Sequence, residues 1–308
     1  MGMLKIGNVE IENRFILAPM AAVNCTAQRL LAKKNGAGLV YTQMIDADKI
    51  ENKTDKEIQE YLNILDNERP VSVQLAGFDL KNLKRAVKLI EPYADIIDFN
   101  VGCILENQIG KGSGAYLLRN PELLEERVKL LIKESSKPVT CKIRIGWDAQ
   151  TINAVKICQM LEKCGVSAIA IHGRTVQQKY GKKSNWTIMK QVKEKSKIPI
   201  IANGDITTYE EGLELLKKTG CDFVMIGREA KHAPWVFNKN FKKTNENVKA
   251  EILEFINLYE KFEKRDSITE LTQHVFWLFR DIKTSLRAQW VRECKTYKEV
   301  RAFLDRID

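Results

Sequence analysis

The chain has 308 residues, 44% of them hydrophobic and 29% charged, which excludes a disordered or fibrous protein and allows a large core plus a small second one. Lysine and arginine outnumber aspartate and glutamate by 50 to 40; the net charge of +10 suits a polyanionic partner, or simply a lysine-rich surface. Seven cysteines with no Cys-x-x-Cys argue against a disulfide framework and against zinc, so no metal is expected and a reducing, cytoplasmic setting is simplest. There is no apolar signal-peptide core near the N-terminus and no apolar run of membrane-spanning length.

Arg14 to Met20 is predicted as a first strand, followed by a helix near Ala27 to Lys34. Gly38 to Gln43 and Pro70 to Leu75 are the second and third strands, and Leu80, Leu83, Ala86, Val87 and Ile90 recur at helical spacing after them. Strand four is Asp95 to Asn100, running into a glycine- and lysine-bearing loop expected to be mobile, and Pro121 opens the next helix. Pro138 to Ile145 is strand five, with a helix from Ala149 to Lys163 that stops at Gly165. Val166 to His172 and Ile198 to Asn203 are strands six and seven. Thr208 to Lys218 reads as a capped helix ending before Gly220, and Cys221 to Ile226 is strand eight.

Eight strand–helix units of this length predict a (β/α)8 TIM barrel. The Gly-x-Gly-x-x-Gly turn of a dinucleotide-binding sheet is missing after the first strand. From about Phe241 the strand signal ends, and Ala250 to Asp308 reads as helix with a break near Asp266-Ser267. The expected domains are therefore a barrel over residues 1–240 and a small all-helical C-terminal domain over 241–308.

Barrel active sites form at the C-terminal ends of the strands. In order those ends carry Met20, Gln43, Gln74, Asn100 with Cys103, Lys142 with Arg144, His172 with Arg174, Asn203 with Asp205, and Gly227 with Arg228. A solvated rim would not need Gln74, Lys142 and His172 inside apolar stretches, so a site is favoured. Asn203-Gly204-Asp205 and Gly227-Arg228 end the last two strands, where barrels commonly cup a phosphate. A buried lysine such as Lys142 needs an electron-rich partner, and a reduced flavin would serve. The Cys103 thiol could act as acid, base or nucleophile.

Taken together these strand ends resemble the tRNA-dihydrouridine synthase family. The matching stretches are Ala18-Pro19-Met20-Ala21, Val73-Gln74-Leu75, Asp98-Phe99-Asn100-Val101-Gly102-Cys103 with Gly112-Ser113-Gly114, and Lys142-Ile143-Arg144. They continue with His172-Gly173-Arg174 and Tyr180, Asn203-Gly204-Asp205, and Ile226-Gly227-Arg228. The chain departs from the pattern at Ile104 (usually proline), Asn24-Cys25 (Thr-Asp), Gln43 (glutamate) and Val176 (often basic). The resemblance implies FMN as cofactor, NADPH or NADH as reductant, and reduction of the C5–C6 bond of selected tRNA uridines. It implies hydride transfer from flavin N5 to C6, with Cys103 as the general acid that protonates C5.

It further implies that Pro19, Met20, Ala21, Gln74, Lys142, His172, Asn203, Gly204, Asp205, Gly227 and Arg228 hold FMN. Asn100, Lys111, Arg144 and Arg174 would face the base or the RNA backbone. In the helical domain Arg280, Lys283 and Arg287 fall on one helical face, with Arg292, Lys295 and Lys298 beyond: a phosphate track or a solvated face. No membrane and no obligate protein partner are expected. The competing expectations are a flavin barrel acting on a small molecule, as dihydroorotate dehydrogenase does, and a non-catalytic RNA-binding barrel.

Overall fold

The computed structural model describes residues 4–50, 52–263, 267–280, 289–290 and 293–306. Eight parallel strands form the barrel: β1 (Phe15–Leu17), β2 (Val40–Tyr41), β3 (Val71–Ala76), β4 (Ile96–Val101), β5 (Val139–Arg144), β6 (Ala168–His172), β7 (Ile200–Asn203) and β8 (Phe223–Ile226). From β2 to β8 each pairs with its neighbour, the two-residue strand Ile45–Asp46 also pairs in parallel with β3, and β8 returns to β1. A parallel bridge between Ile16 and Leu39, with Leu17 N–H donating to Leu39 O at 3.0 Å, joins β1 to the start of β2. A short hairpin, Lys5–Ile6 with Val9–Glu10, precedes the barrel.

The helices between strands are α1 (Thr26–Lys34), α2 (Asp55–Leu62), α3 (Leu80–Ile90), α4 (Pro121–Glu134), α5 (Ala154–Cys164), α6 (Trp186–Lys195) and α7 (Tyr209–Thr219). Beyond the barrel lie α8 (Asn245–Phe262), α9 (Ile268–Leu278) and α10 (Tyr297–Asp305). The barrel followed by helices agrees with the fold expected from the sequence. Helices α2 and α6 had no counterpart in that reading, although a capping box of Thr54 with Glu57 marks the start of α2. Helix α5 begins five residues later than predicted. Asp148 Oδ1 accepts from the N–H groups of Gln150 and Thr151, so a turn occupies the segment before it. Among the described residues Ser267 caps α9 and Thr296 caps α10, each accepting from the N–H three residues on.

Alternation along the strands divides the barrel into two environments. Leu17, Val73, Phe99, Cys141, Ile171, Ala202 and Val224 face the helices in one continuous core. Ile16, Tyr41, Ile96, Ala170, Ile201 and Met225 occupy the interior, where Ile6 and Ile11 pack with them. On that same interior parity, toward the C-terminal ends, the side chains become polar: Ser72, Gln74, Asp98, Asn100, Thr140, Lys142, Arg144, His172 and Asn203. The mouth is thus a polar layer over an apolar floor.

The C-terminal helices share a core with α1 rather than standing apart. Cys25, Ala27 and Leu31 pack with Phe255, Tyr259, Leu271, Val275 and Trp290. Helix α1 is itself locked by a buried ion pair. Arg29 Nε and Nη2 meet the two Glu68 oxygens at 2.6 and 3.0 Å, and the guanidinium also donates to the carbonyls of Asn24, Leu62 and Asn63. Both side chains are almost fully buried, at 3% and 0% exposed. Removing one partner strands a charge, so Glu68→Ala is expected to lower unfolding stability by about 3–5 kcal/mol. Urea denaturation checks this, and a change under about 1 kcal/mol, the worth of an exposed pair, would contradict it.

Candidate active site

Register sets the deepest polar layer. Asp98 on β4 lies opposite Gln74 on β3 and Thr140 on β5. Its carboxylate accepts from Gln74 Nε2 at 2.7 Å and Thr140 Oγ1 at 2.6 Å. Burial pushes this carboxyl up to about 6, against those two hydrogen bonds and the nearby Lys142 charge. Asp98 thereby decides which way the Gln74 amide faces. Gln74 Oε1 accepts from Asn100 Nδ2 at 2.8 Å, leaving Asn100 Oδ1 to accept the N–H groups of Gly102 at 3.0 Å and Cys103 at 2.8 Å. A chain of four residues thus runs from the barrel interior to the backbone of the thiol.

Cys103 is held from its other side as well. Its carbonyl accepts the Ala115 N–H at 2.9 Å. Gly114 has φ +59, and a Cβ there would come within 2.9 Å of the Cys103 carbonyl and 3.1 Å of its Cβ. Only glycine fits that approach. The segment after Cys103, expected as a mobile loop, forms a short helix over Glu106–Gly110 and a 3-10 turn over Gly114–Arg119. Asp46 anchors it, accepting from Gln108 Nε2 at 2.9 Å with Lys111 Nζ 3.7 Å away. Lys111 therefore sits on this segment beside a carboxylate.

Burial pushes the Cys103 thiol up, opposed by a backbone hydrogen bond and by the Arg144 and Lys142 charges. The sulfur accordingly keeps its proton near neutral pH. Lys142 is pushed down to about 8, first by burial and then by Arg144. Its ammonium donates to Asn203 Oδ1 at 3.2 Å, and Asn203 Nδ2 donates to the Met225 carbonyl. His172 is held well below its usual range by burial and by the surrounding Lys142, Arg144 and Arg174 charges. Its Nε2 lies 3.3 Å from Arg174 Nη1. Arginine can only donate, so Nε2 accepts and Nδ1 carries the proton.

The two interior arginines are committed to the rim itself. Arg144 donates to the carbonyls of Gly102, Thr175 and Lys179. Arg174 Nη2 meets Asp205 Oδ1 and Oδ2 at 2.6 and 2.7 Å, and its Nε donates to the Lys182 carbonyl. Arg228 Nη2 reaches Asp205 Oδ1 at 2.9 Å. Against its burial, the hydrogen bonds from Arg174 and from Ser184 N–H hold the Asp205 carboxyl below the ordinary range. Arg228 lies 5.0 Å and Arg144 5.6 Å from the ring centre of Tyr180, which is 53% exposed. Sequence reasoning gave no role to Asp98, Thr140 or Tyr180; the spacing of Asp98 two residues before Asn100 was the available signal.

Residues at the other strand ends gather around the same mouth. Gly227 precedes a short helix, Arg228–His232, and a Cβ on it would lie 3.3 Å from Ala18 and 3.7 Å from Met20 Sδ. Gly204 has φ +130 and packs against Ser184 and His172. Pro19 and Met20 are half-buried and Ala21 is exposed. Gln43 Oε1 accepts from Ala22 N–H at 2.8 Å, bracing this segment. Arg280 is elsewhere, paired with Glu229 at 2.6 and 2.7 Å. Lys283 and Arg287, with Arg292, lie outside the described residues.

The environment of the thiol has a measurable consequence. With peptide mapping, the pH midpoint for alkylation of Cys103 is expected above that of an ordinary thiol. A midpoint at or below the ordinary value would mean that Arg144 and Lys142 outweigh burial.

A sequence model of the Dihydrouridine synthase (Dus) family matches residues 16–308. A probable tRNA-dihydrouridine synthase from Rickettsia bellii is 38% identical over 255 residues, covering 82% of this chain and 78% of that protein. A tRNA-dihydrouridine synthase B from Vibrio parahaemolyticus is 39% identical over 238 residues, 77% of this chain and 73% of that protein. Among solved structures, an old yellow enzyme homologue from Zymomonas mobilis aligns with a TM-score of 0.57 at 14% identity, over 75% of this chain and 89% of that one. That likeness concerns the barrel fold alone. Matched from its first barrel strand through its C-terminal helices, the chain is an enzyme of the dihydrouridine synthase family.

Proposed function

We propose that the protein reduces the C5–C6 double bond of selected uridines in tRNA to 5,6-dihydrouridine, with FMN as bound cofactor and NADPH or NADH as reductant. The observation that carries this reading is a thiol, Cys103, pinned by its backbone N–H to Asn100 just past the end of β4 and within the influence of the Lys142 and Arg144 charges. The names of the relatives, tRNA-dihydrouridine synthases, support tRNA as the substrate class.

The residues present fit a flavin. Among the described residues the Lys142 ammonium makes one hydrogen bond, to Asn203, and has two further protons for an electron-rich ring. Gln74 and His172 line the same mouth, with Pro19, Met20 and Ala21 beside it. Asn203, Gly204, Gly227 and Arg228, at the ends of β7 and β8, would take the phosphate. Asp205 would act through charge: it neutralises one of the two guanidinium groups, Arg174 and Arg228, and leaves a net positive charge for the anion. FMN, when bound, supplies the hydride.

The chain's own contribution is to bind, orient and protonate. Cys103 holds the proton for C5 on Sγ, and the Asn100–Gln74–Asp98 chain fixes where that sulfur stands. Arg144 and Arg174 brace the carbonyls and the carboxylate of the rim, and Arg144 and Arg228 both lie over the ring of the exposed Tyr180. A uridine inside folded tRNA must be turned out to reach this mouth. Lys111 lies on the segment that borders it. The Arg280 pairing with Glu229 fixes one end of the proposed track in the helical region to the barrel.

Cys103→Ala is expected to keep flavin absorbance and tRNA binding while tRNA reduction falls about 10²–10⁴-fold. Parental turnover in that variant would sink the proposed role. Asp98→Ala is expected to lower the rate by up to ~10²-fold through misplacement of Cys103. Asp98→Asn should recover most of it, because its carbonyl can face Gln74 and its NH2 group Thr140. An alanine variant as fast as the parent would remove Asp98 from the mechanism. Affinity for unmodified tRNA should drop steeply between low and physiological salt, and a flat dependence would argue against phosphate contacts.

A further inference from the structure

The seam between α1 and α9 holds a cluster that the barrel mouth does not use. Cys25 is the N-cap residue of α1, yet its side chain makes no cap hydrogen bond. Caps are normally oxygen-bearing side chains. Cys25 Sγ instead lies 3.7 Å from Nε2 of His274. Glu270 stands one turn earlier on the same helix, the spacing that puts two side chains on one face. The donor atoms of Cys25, Glu270 and His274 all lie within 4.8 Å of one another.

His274 shows what is missing there. Its Nδ1 is 2.9 Å from the Glu270 carbonyl oxygen, and its Nε2 is 3.0 Å from the Val23 carbonyl oxygen. A neutral imidazole has a single N–H and cannot satisfy both. An Nδ1–H donated to a backbone carbonyl is the usual outer partner of a metal-bound histidine. In that tautomer the Nε2 lone pair faces the Cys25 thiol, whose proton a bound cation would replace.

Size and charge agree. A small cavity of about 50 Å³ adjoins Cys25 and Glu270 and is lined also by Asn24 and Glu263, enough for a water beside the ion but not for an organic ligand. Asn24 Oδ1 is buried and without a hydrogen-bond partner. Arg29, the nearest cation to act on Cys25, is already bound to Glu68. In a tetrahedral zinc site, bond lengths of about 2.3 Å to sulfur and about 2.0 Å to nitrogen place those two atoms about 3.5 Å apart. The Cys25–His274 separation is 3.7 Å.

We propose that Cys25, Glu270 and His274 form a binding site for a thiophilic divalent cation of the zinc type, with a water in the fourth position. On binding, the Cys25 thiol releases its proton to solvent, and thiolate and carboxylate together balance the two positive charges. The ion would staple α9 to the segment that runs from Met20 to Cys25, joining the helical region to the wall of the mouth. The site stands apart from the flavin reading and does not need it.

The test is to strip the full-length protein with a chelator and titrate it with Co²⁺. One equivalent should bind, with tetrahedral bands and a thiolate-to-cobalt charge-transfer band that added Zn²⁺ abolishes. Cys25→Ser should lose the charge-transfer band. Glu270→Gln, a milder change at a half-buried ligand, should weaken affinity at least ~10-fold, the least that even outer partners cost. The proposal is overturned by the absence of a thiolate band in the parental protein, by its survival in Cys25→Ser, or by unchanged affinity in Glu270→Gln. The first and last outcomes decide the matter even where the serine variant does not fold.

Discussion

A single buried carboxylate organises the mouth of this barrel. Asp98 cannot shed its partners without leaving a charge in the interior, so Gln74 and Thr140 are tied to it. Because an ionised carboxylate only accepts, the Gln74 amide must turn its NH2 group inward and its oxygen outward. Asn100 then has one orientation left, and its oxygen collects the backbone N–H groups of Gly102 and Cys103. The backbone that carries the thiol is therefore held by hydrogen-bond polarity passed along adjacent strands.

Charge at the rim follows a similar economy. Lys142, Arg144, Arg174 and Arg228 converge on one opening, which would repel itself if left unbalanced. Asp205 takes two of the guanidinium groups, and loop carbonyls take Arg144. What is left for a ligand is the Lys142 ammonium, softened by burial to about 8, and the half-exposed side chain of Arg228. A site so arranged favours an electron-rich ring at the centre and an anion at the edge. It also keeps His172 neutral, since an added positive charge there would face four others.

The C-terminal helices are part of this design because α1 belongs to both cores. Its N-terminus follows the Pro19–Met20 segment of the mouth, and its body packs on α8 and α9. Ala27 N–H donates to Glu263 and Asn63 Nδ2 to the Phe262 carbonyl, so polar contacts cross the seam as well as apolar ones. Movement of the helical region would be felt at β1. The Cys25–His274 contact lies on that route.

Strand alternation, the polar strand ends and the capped turns were legible in the amino-acid sequence, because each is a local pattern of period or spacing. The eight-strand barrel, the helical tail and the polar strand ends, Gln74 and Lys142 among them, could be named from those patterns, and the motifs together named the family. The sequence could not say what each polar side chain would be spent on. Arg174 reads as a strand-end cation like Arg228, yet closure of the barrel buries it against Asp205, 31 residues away. Asp98 reads as part of a motif, and only its register with β3 and β5 makes it the anchor of Cys103. The segment after Cys103 reads as a loop, yet it forms a short helix whose Gln108 donates to Asp46 of the strand Ile45–Asp46. Cys25 and His274 meet across 249 residues, which no spacing rule detects. Local order thus followed from covalent neighbours, whereas the partners of each buried polar group were decided by tertiary structure, because a desolvated donor or acceptor must pair with whatever the closed barrel brings within reach.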